Sequence, residues 1–164
     1  MKFDPFGRLA GPRPDADERK MIVFQLAEIR CGLDIMAIRE IVNRGRIVPI
    51  PTAPPFVLGA TDHRGSLVPV IDLRRRLGLP PSTSPRAKWI IAISAGKDVA
   101  LVVDLVTGVT AVGNAERRER HPLADGGELA WVKSVYGIAA GLLFELDIEA
   151  ILGAEAAAGP EVAH

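Results

Sequence analysis

Residues 59–78 read Gly59-Ala60-Thr61-Asp62-His63-Arg64-Gly65-Ser66-Leu67-Val68-Pro69-Val70-Ile71-Asp72-Leu73-Arg74-Arg75-Arg76-Leu77-Gly78. The pattern predicts a strand, a tight turn, a second strand and a short capped helix. Gly65 supplies the positive φ that a hairpin turn at Arg64-Gly65-Ser66 needs, and apolar runs flank it. The run from Leu67 to Ile71 is apolar and β-branched, which suits a buried strand. Pro69 has no N–H to donate and places that strand at an edge or a bulge. Asp72 is a good N-cap, Leu73 and Leu77 share a face at i,i+4, and Gly78 fits the position that ends a helix.

The same pattern returns near the end of the chain. Phe144-Glu145-Leu146-Asp147-Ile148-Glu149-Ala150-Ile151-Leu152-Gly153 aligns without gaps on Pro69 to Gly78. Each copy feeds an apolar strand into an aspartate cap, an apolar pair four residues apart and a closing glycine. Each half of the chain also opens on a strand–turn–strand unit, Met21 to Ile35 and Lys88 to Asp104. Many short strands punctuated by Gly and Pro indicate an all-β protein of small barrels rather than an α/β sheet. Neither half has residues enough for a large core, so the two are expected to bury apolar surface against each other.

Between these units, Met36 to Val42 is expected to begin as a helical turn and finish as a strand. The four prolines from Ile47 to Pro55 predict a stiff extended crossing. Pro80 to Arg86 reads as a break between halves, placing a boundary between two barrel subdomains near 80–87. Asn114 to Leu129 is a long polar connection. Residues 1–20 read as a disordered arm, a plain mobile tail in preference to a short docking motif made by Phe3, Phe6 and Leu9, and 154–164 as a disordered tail. The folded domain is then 21–153.

Twenty basic and twenty acidic residues give a formal net charge of zero, so no global field draws the chain to nucleic acid or an anionic membrane. The single cysteine, Cys31, excludes an internal disulfide and reads as a small buried hydrophobe. With no signal-type or membrane-spanning apolar run, the sequence predicts a soluble cytoplasmic protein. Catalysis needs converging reactive groups, and none of HExxH, CxxC, GxSxG or GxxxxGK[ST] occurs. Asp62, His63 and Asp72 are the one combination resembling a metal-dependent site, but adjacent strand residues face opposite ways, so Asp62 and His63 should not converge. Arg74, Arg75 and Arg76 are expected to cover the solvent side of one helical turn. Asp104 and Asp147 are read as turn and cap residues. No metal and no cofactor is expected.

Taken together, Gly59-x-x-x-x-Arg64-Gly65-x-x-x-Pro69-Val70-x-Asp72-Leu73-Arg74, with Phe24-x-Leu26, Gly32 to Ile35, Ile38-x-Glu40-Ile41, Pro51-x-x-Pro54 and Val102-Val103-Asp104-x-Val106, resembles the CheW family of bacterial chemotaxis adaptors. The resemblance runs from about Ile22 to Leu152. It implies two five-stranded SH3-like barrels around a shared core with short capping helices, and no enzymatic activity. It implies partners: the cytoplasmic tip of a methyl-accepting chemoreceptor, bound between the barrels, and the regulatory domain of a CheA-type histidine kinase, bound at barrel ends. It implies a place beside membrane receptor arrays without insertion into the membrane.

Carried over by motif, the receptor-binding positions are Ile38, Glu40, Gly59 and Arg64. Ile38 would add apolar area, or simply pack in the core. Gly59 would admit the partner closely. Arg64 would offer a planar multi-donor fork, or brace the two barrels. No motif resolves the kinase contact, for which Val99 to Val112 is one candidate. The family usually has Asn and an apolar residue where this chain has Asp62 and His63, making these two the expected specificity positions. That departure leaves open a scaffold for a non-flagellar pathway, such as gliding or pilus motility, that binds receptor without kinase.

Overall fold

The computed structural model describes residues 18–81, 84–119 and 130–153. The expected arm up to residue 17, its Phe3, Phe6 and Leu9, and the 154–164 tail lie outside them. Eleven strands follow one another among the described residues: β1 (Arg19–Leu26), β2 (Ile29–Asp34), β3 (Ile38–Val42), β4 (Val57–His63), β5 (Ser66–Asp72), β6 (Lys88–Ser94), β7 (Lys97–Val103), β8 (Leu105–Val112), β9 (Arg117–Arg118), β10 (Val132–Ile138) and β11 (Gly141–Leu146). A 3₁₀ turn (Ile35–Ala37) precedes β3, and helix α1 (Leu73–Arg76) follows β5. Residues 148–153 form a second helix, α2. Lys20 and Arg19, expected in the arm, belong to β1.

The strands build two sheets, ordered β8-β1-β2-β11-β10-β9 and β3-β6-β7-β5-β4. The two-residue β9 makes the first sheet six-stranded where five were expected. Each sheet curls into a small SH3-like barrel by the same device, in which the chain running on from one edge strand reaches the strand at the opposite edge. After β8 the chain turns at 113–116 and β9 pairs with β10. After β3 the chain runs on to Val48, which bridges Ala60 of β4.

The break expected near 80–87 does not divide the barrels. β6 and β7, which follow it, pair with β3 and β5 in the second sheet, and β1 and β2 pair with β8 and β11 in the first. Each half of the chain therefore keeps two strands at home and lends its later strands to the other barrel. The repeat seen in the sequence survives in register: β4 and β10 begin 75 residues apart, at Val57 and Val132, and each carries a register shift two residues in, before Gly59 and Ser134. Asp72 accepts from Arg75 N–H at 3.3 Å and Asp147 from Ala150 N–H at 3.1 Å, capping α1 and α2. Gly78 and Gly153 close them at φ 75° and 60°.

Three apolar clusters follow from strand alternation. In β1, Met21 and Val23 point into the first barrel with Tyr136 and Leu143, while Ile22 and Phe24 point into the core shared by both. In β6, Trp89 and Ile91 fill the second barrel with Val68, Val70 and Ala100, while Ile90 and Ala92 join the shared core. Strands buried on both faces explain why Met21 to Phe24 and Trp89 to Ala92 read as unbroken apolar runs. Cys31 lies in the shared core, and burial, with the charge of Asp104, pushes its thiol up to about 12. It behaves as the small hydrophobe expected.

Candidate functional site

The β4–β5 hairpin ends in a two-residue turn, with Arg64 at φ 53° and Gly65 at φ 83°. Positive φ at both central residues is the type I′ geometry whose twist matches flanking strands. Ser66, expected in the turn, begins β5. A left-handed conformation costs an L-residue roughly 1–2 kcal/mol, so an arginine there must be held. Asp62 Oδ1 accepts from Gly65 N–H at 3.0 Å and fixes the turn. Arg64 Nε and Nη2 donate to Glu40 Oε1 and Oε2 at 2.8 and 2.9 Å, a fork-on-carboxylate pair. His63 Nε2 packs against the same Oε1, forming an ion pair when protonated but without hydrogen-bond alignment. Asp62 and His63 diverge, as strand alternation requires.

Glu40 lies on β3 and Arg64 beyond β4, and these strands are the two opposite edges of the second sheet. The pair is a clasp across the seam of one barrel, and it does not brace one barrel against the other. The hydrogen bonds and charge of Arg64, with His63, hold the Glu40 carboxyl below its ordinary range, against the opposing effect of burial. Glu40 in turn raises the guanidinium. The Arg64 side chain is still 73% exposed, with Nη1 uncommitted to Glu40. Leu67, opposite Asp62 at the same tip, is 68% exposed. The tip thus offers a rigid cationic fork beside apolar surface.

The other two motif positions stand elsewhere. Gly59 is buried, and a Cβ there would lie 2.3 Å from the Val48 carbonyl oxygen and 2.7 Å from Ile47 Cγ2. The close approach it permits is that of the chain's own 43–50 segment, not of a partner. Ile38 packs against the shared core. Ile38-x-Glu40 suggests one strand face, but the register shifts between them, pairing Ile38 with Ala92 and Glu40 with Ile91. The bulge turns Ile38 inward and leaves Glu40 for Arg64. The structure brings together Glu40, His63 and Arg64, and places Ile38 against the shared core and Gly59 against the 47–48 backbone instead.

Bracing between the barrels falls to residues read as a solvated arginine face. Arg74 Nε donates to Asp104 Oδ1 and Oδ2 at 2.8 and 3.0 Å, and Asp104 Oδ2 also accepts from Ala27 N–H at 2.7 Å, tying α1 to the β1–β2 turn. Arg76 lies between Phe56 and Trp131, 4.2 and 4.4 Å from their ring centroids, and donates to the Ile151 carbonyl at 2.6 Å, tying α1 to α2. Arg75 donates to the Pro55 carbonyl at 2.9 Å. The signal available in the sequence was position: the residues after a cap on so short a helix can reach neighbouring elements on every side. Among the described residues no three His, Cys, Asp or Glu side chains lie together as a metal site would need, and no helix is long and apolar enough to cross a membrane.

A family model described as the CheW-like domain matches residues 20–156. The chain is 27% identical over 139 residues to the chemotaxis protein CheW of Rhizobium meliloti, covering 84% of this chain and 89% of that protein. It is 28% identical over 100 residues to protein FrzA of Myxococcus xanthus, covering 60% of this chain and 62% of that one. The crystal structure of the scaffolding protein TtCheW from Thermoanaerobacter tengcongensis superposes with a TM-score of 0.76 at 28% identity, covering 89% of this chain and 92% of that one.

Proposed function

The chain belongs to the CheW-like domain family, and from that premise we propose that it is a non-enzymatic adaptor, holding a chemoreceptor's cytoplasmic tip and the regulatory domain of a CheA-type histidine kinase in one cytoplasmic assembly. Its output is geometry: receptor state biases kinase activity through the coupling free energy of shared binding. The observation that carries this reading is the exposed Arg64 fork, oriented by Glu40 on a rigid hairpin tip. A helical receptor tip presents carboxylates and end carbonyls, and a preorganised guanidinium meets either with little loss of side-chain freedom. Ile38 packs the strand that carries Glu40 against the shared core, and Gly59 lets β4 close on the 47–48 segment. Asp62 and His63, flanking the fork, select among receptors.

Arg64→Ala is expected to fold normally and to weaken binding to receptor-containing membranes by about 2 kcal/mol, measured by co-sedimentation. A folded variant that sediments as well as the parent removes Arg64 from the contact. The similarity to FrzA, together with Asp62-His63 in place of the family's usual pair, favours a second reading, a scaffold of a non-flagellar pathway that binds receptor alone. Pull-down with the kinase regulatory domain separates the two, since only the first adaptor retains it.

A further inference from the structure

We propose that the core shared by the two barrels holds a binding site for a small uncharged aromatic molecule, of the size of a fused bicyclic ring. The site is a cavity of about 260 Å³ between the end of α1 and the β2–β11 pair.

Its walls come from both barrels. Ile29 and Cys31 of β2, Val132 of β10, and Phe144 and Leu146 of β11 belong to the first sheet, while Leu77 and Leu79 follow α1, which continues β5 of the second. Each of them belongs to the shared core or packs against it. Cys31, Leu77, Val132 and Leu146 are buried, and Ile29, Leu79 and Phe144 are partly buried and form the mouth. Backbone bonds fix these walls before any ligand arrives. Cys31 pairs with Phe144 in the parallel β2–β11 ladder. Leu79 N–H donates to the Arg74 carbonyl at 2.8 Å, the bond that closes a helix across a glycine such as Gly78. Glu40, His63 and Arg64 do not line the cavity, so it is separate from the receptor contact proposed above.

The lining defines the ligand. Among the described residues it contains no charged, hydroxyl or amide side chain. Its one heteroatom is the Cys31 sulfur, and burial keeps that thiol protonated and neutral. A charged molecule, or one rich in hydroxyls, would give up its hydration and find no partner. An apolar cavity of about 150 Å³ stays dry and accepts a benzene ring. The larger volume here leaves room for a second, fused ring, and Phe144 at the mouth offers it an offset or edge-on aromatic contact. An empty cavity also forfeits the dispersion contacts of its lining, so occupancy should stabilise the fold and tie α1 to the first sheet.

The test is a ¹H–¹³C methyl NMR titration of the full chain with indole, against indole-3-carboxylate, the same ring system carrying a charge. Indole should shift the methyl signals of Ile29, Leu77, Leu79, Val132 and Leu146, and raise the thermal midpoint as its concentration rises. The carboxylate should bind at least about tenfold more weakly. Leu79→Trp, which puts a ring of its own into the cavity from a partly buried position, should lose at least about tenfold in indole affinity while keeping the parent's circular dichroism. On the unaltered chain, equal binding of the two compounds, shifts confined to other methyls, or no shift at millimolar indole would each overturn the proposal. So would an unchanged affinity in a folded Leu79→Trp.

Discussion

Each barrel contains an arginine bound to a glutamate across strands, and the two pairs are built for different ends. In the first barrel Arg19 of β1 donates to both oxygens of Glu145 on β11, at 2.9 and 2.8 Å, and to Asp34 at 3.2 Å and the Tyr136 hydroxyl. The Glu145 side chain is only 3% exposed. In the second barrel Arg64 also binds Glu40 bidentately, through Nε and Nη2, but the arginine stands in solvent. A carboxylate sealed inside a sheet cannot exchange partners, whereas one at a surface seam can. The first pair is thus committed to the fold, while the second keeps its arginine in solvent.

That contrast is broken most directly by removing each arginine. Arg19→Met leaves Glu145 buried without its cation, at an expected cost of about 3 kcal/mol. Arg64→Met leaves Glu40 able to reach water, and its urea midpoint should stay close to the parent's. Urea denaturation of the two variants checks this. Equal losses would mean that the exposed clasp is structural after all.

The glycines of the two ends of the β4–β5 hairpin sharpen the same comparison within one barrel. Gly59 is at φ 150° with the Val48 carbonyl oxygen 2.3 Å from a would-be Cβ, while Gly65 at φ 83° has nothing within 4 Å. Gly59→Ala adds overpacking against backbone to conformational strain and should cost about 3 kcal/mol, opening the barrel seam. Gly65→Ala should cost only the strain, about 1 kcal/mol. Thermal unfolding monitored by circular dichroism ranks them, and near-equal midpoints would show that the 43–50 segment yields to let a Cβ in.

These cases also mark what a sequence conveys. The hairpin, both aspartate caps, both closing glycines and the repeat were legible because each rests on local rules: turn φ, cap chemistry, strand alternation. The exchange of strands between halves was not, since a break rich in proline looks the same whether it joins two barrels or two strands of one. Arg64 and Glu40 stood out as motif residues, but their union depends on barrel closure, which brings sheet edges together 24 residues apart in the chain. Gly59 points to a partner in the sequence because close approach of a distant piece of the same chain leaves no local trace. Arg19 reads as part of the arm because the composition around it is polar, and only the register of β1 against β8 draws it into the sheet.

The weakest expected effect concerns acid. Burial raises the Asp104 carboxyl, but hydrogen bonds from Arg74 and from the Ala27 N–H, with the charge of Arg74, outweigh it and hold the group below its ordinary value. An unfolded aspartate protonates near pH 4, so as pH falls the unfolded chain takes up its proton before the folded one. The stabilisation is therefore complete above about pH 4 and is lost as pH falls through the depressed folded value. Asp104→Asn should be less stable than the parent at pH 7, because Arg74 loses its counter-charge, yet lose less on going from pH 5 to pH 3. Glu40→Gln should flatten the same limb less, since its clasp is open to solvent and screened by salt. Urea midpoints measured across this range, at low and at high salt, decide the order. If Glu40→Gln flattens the acid limb as much as Asp104→Asn at both salts, the surface clasp is as well insulated as the brace between the barrels, and Arg64 is not free to leave it for a partner.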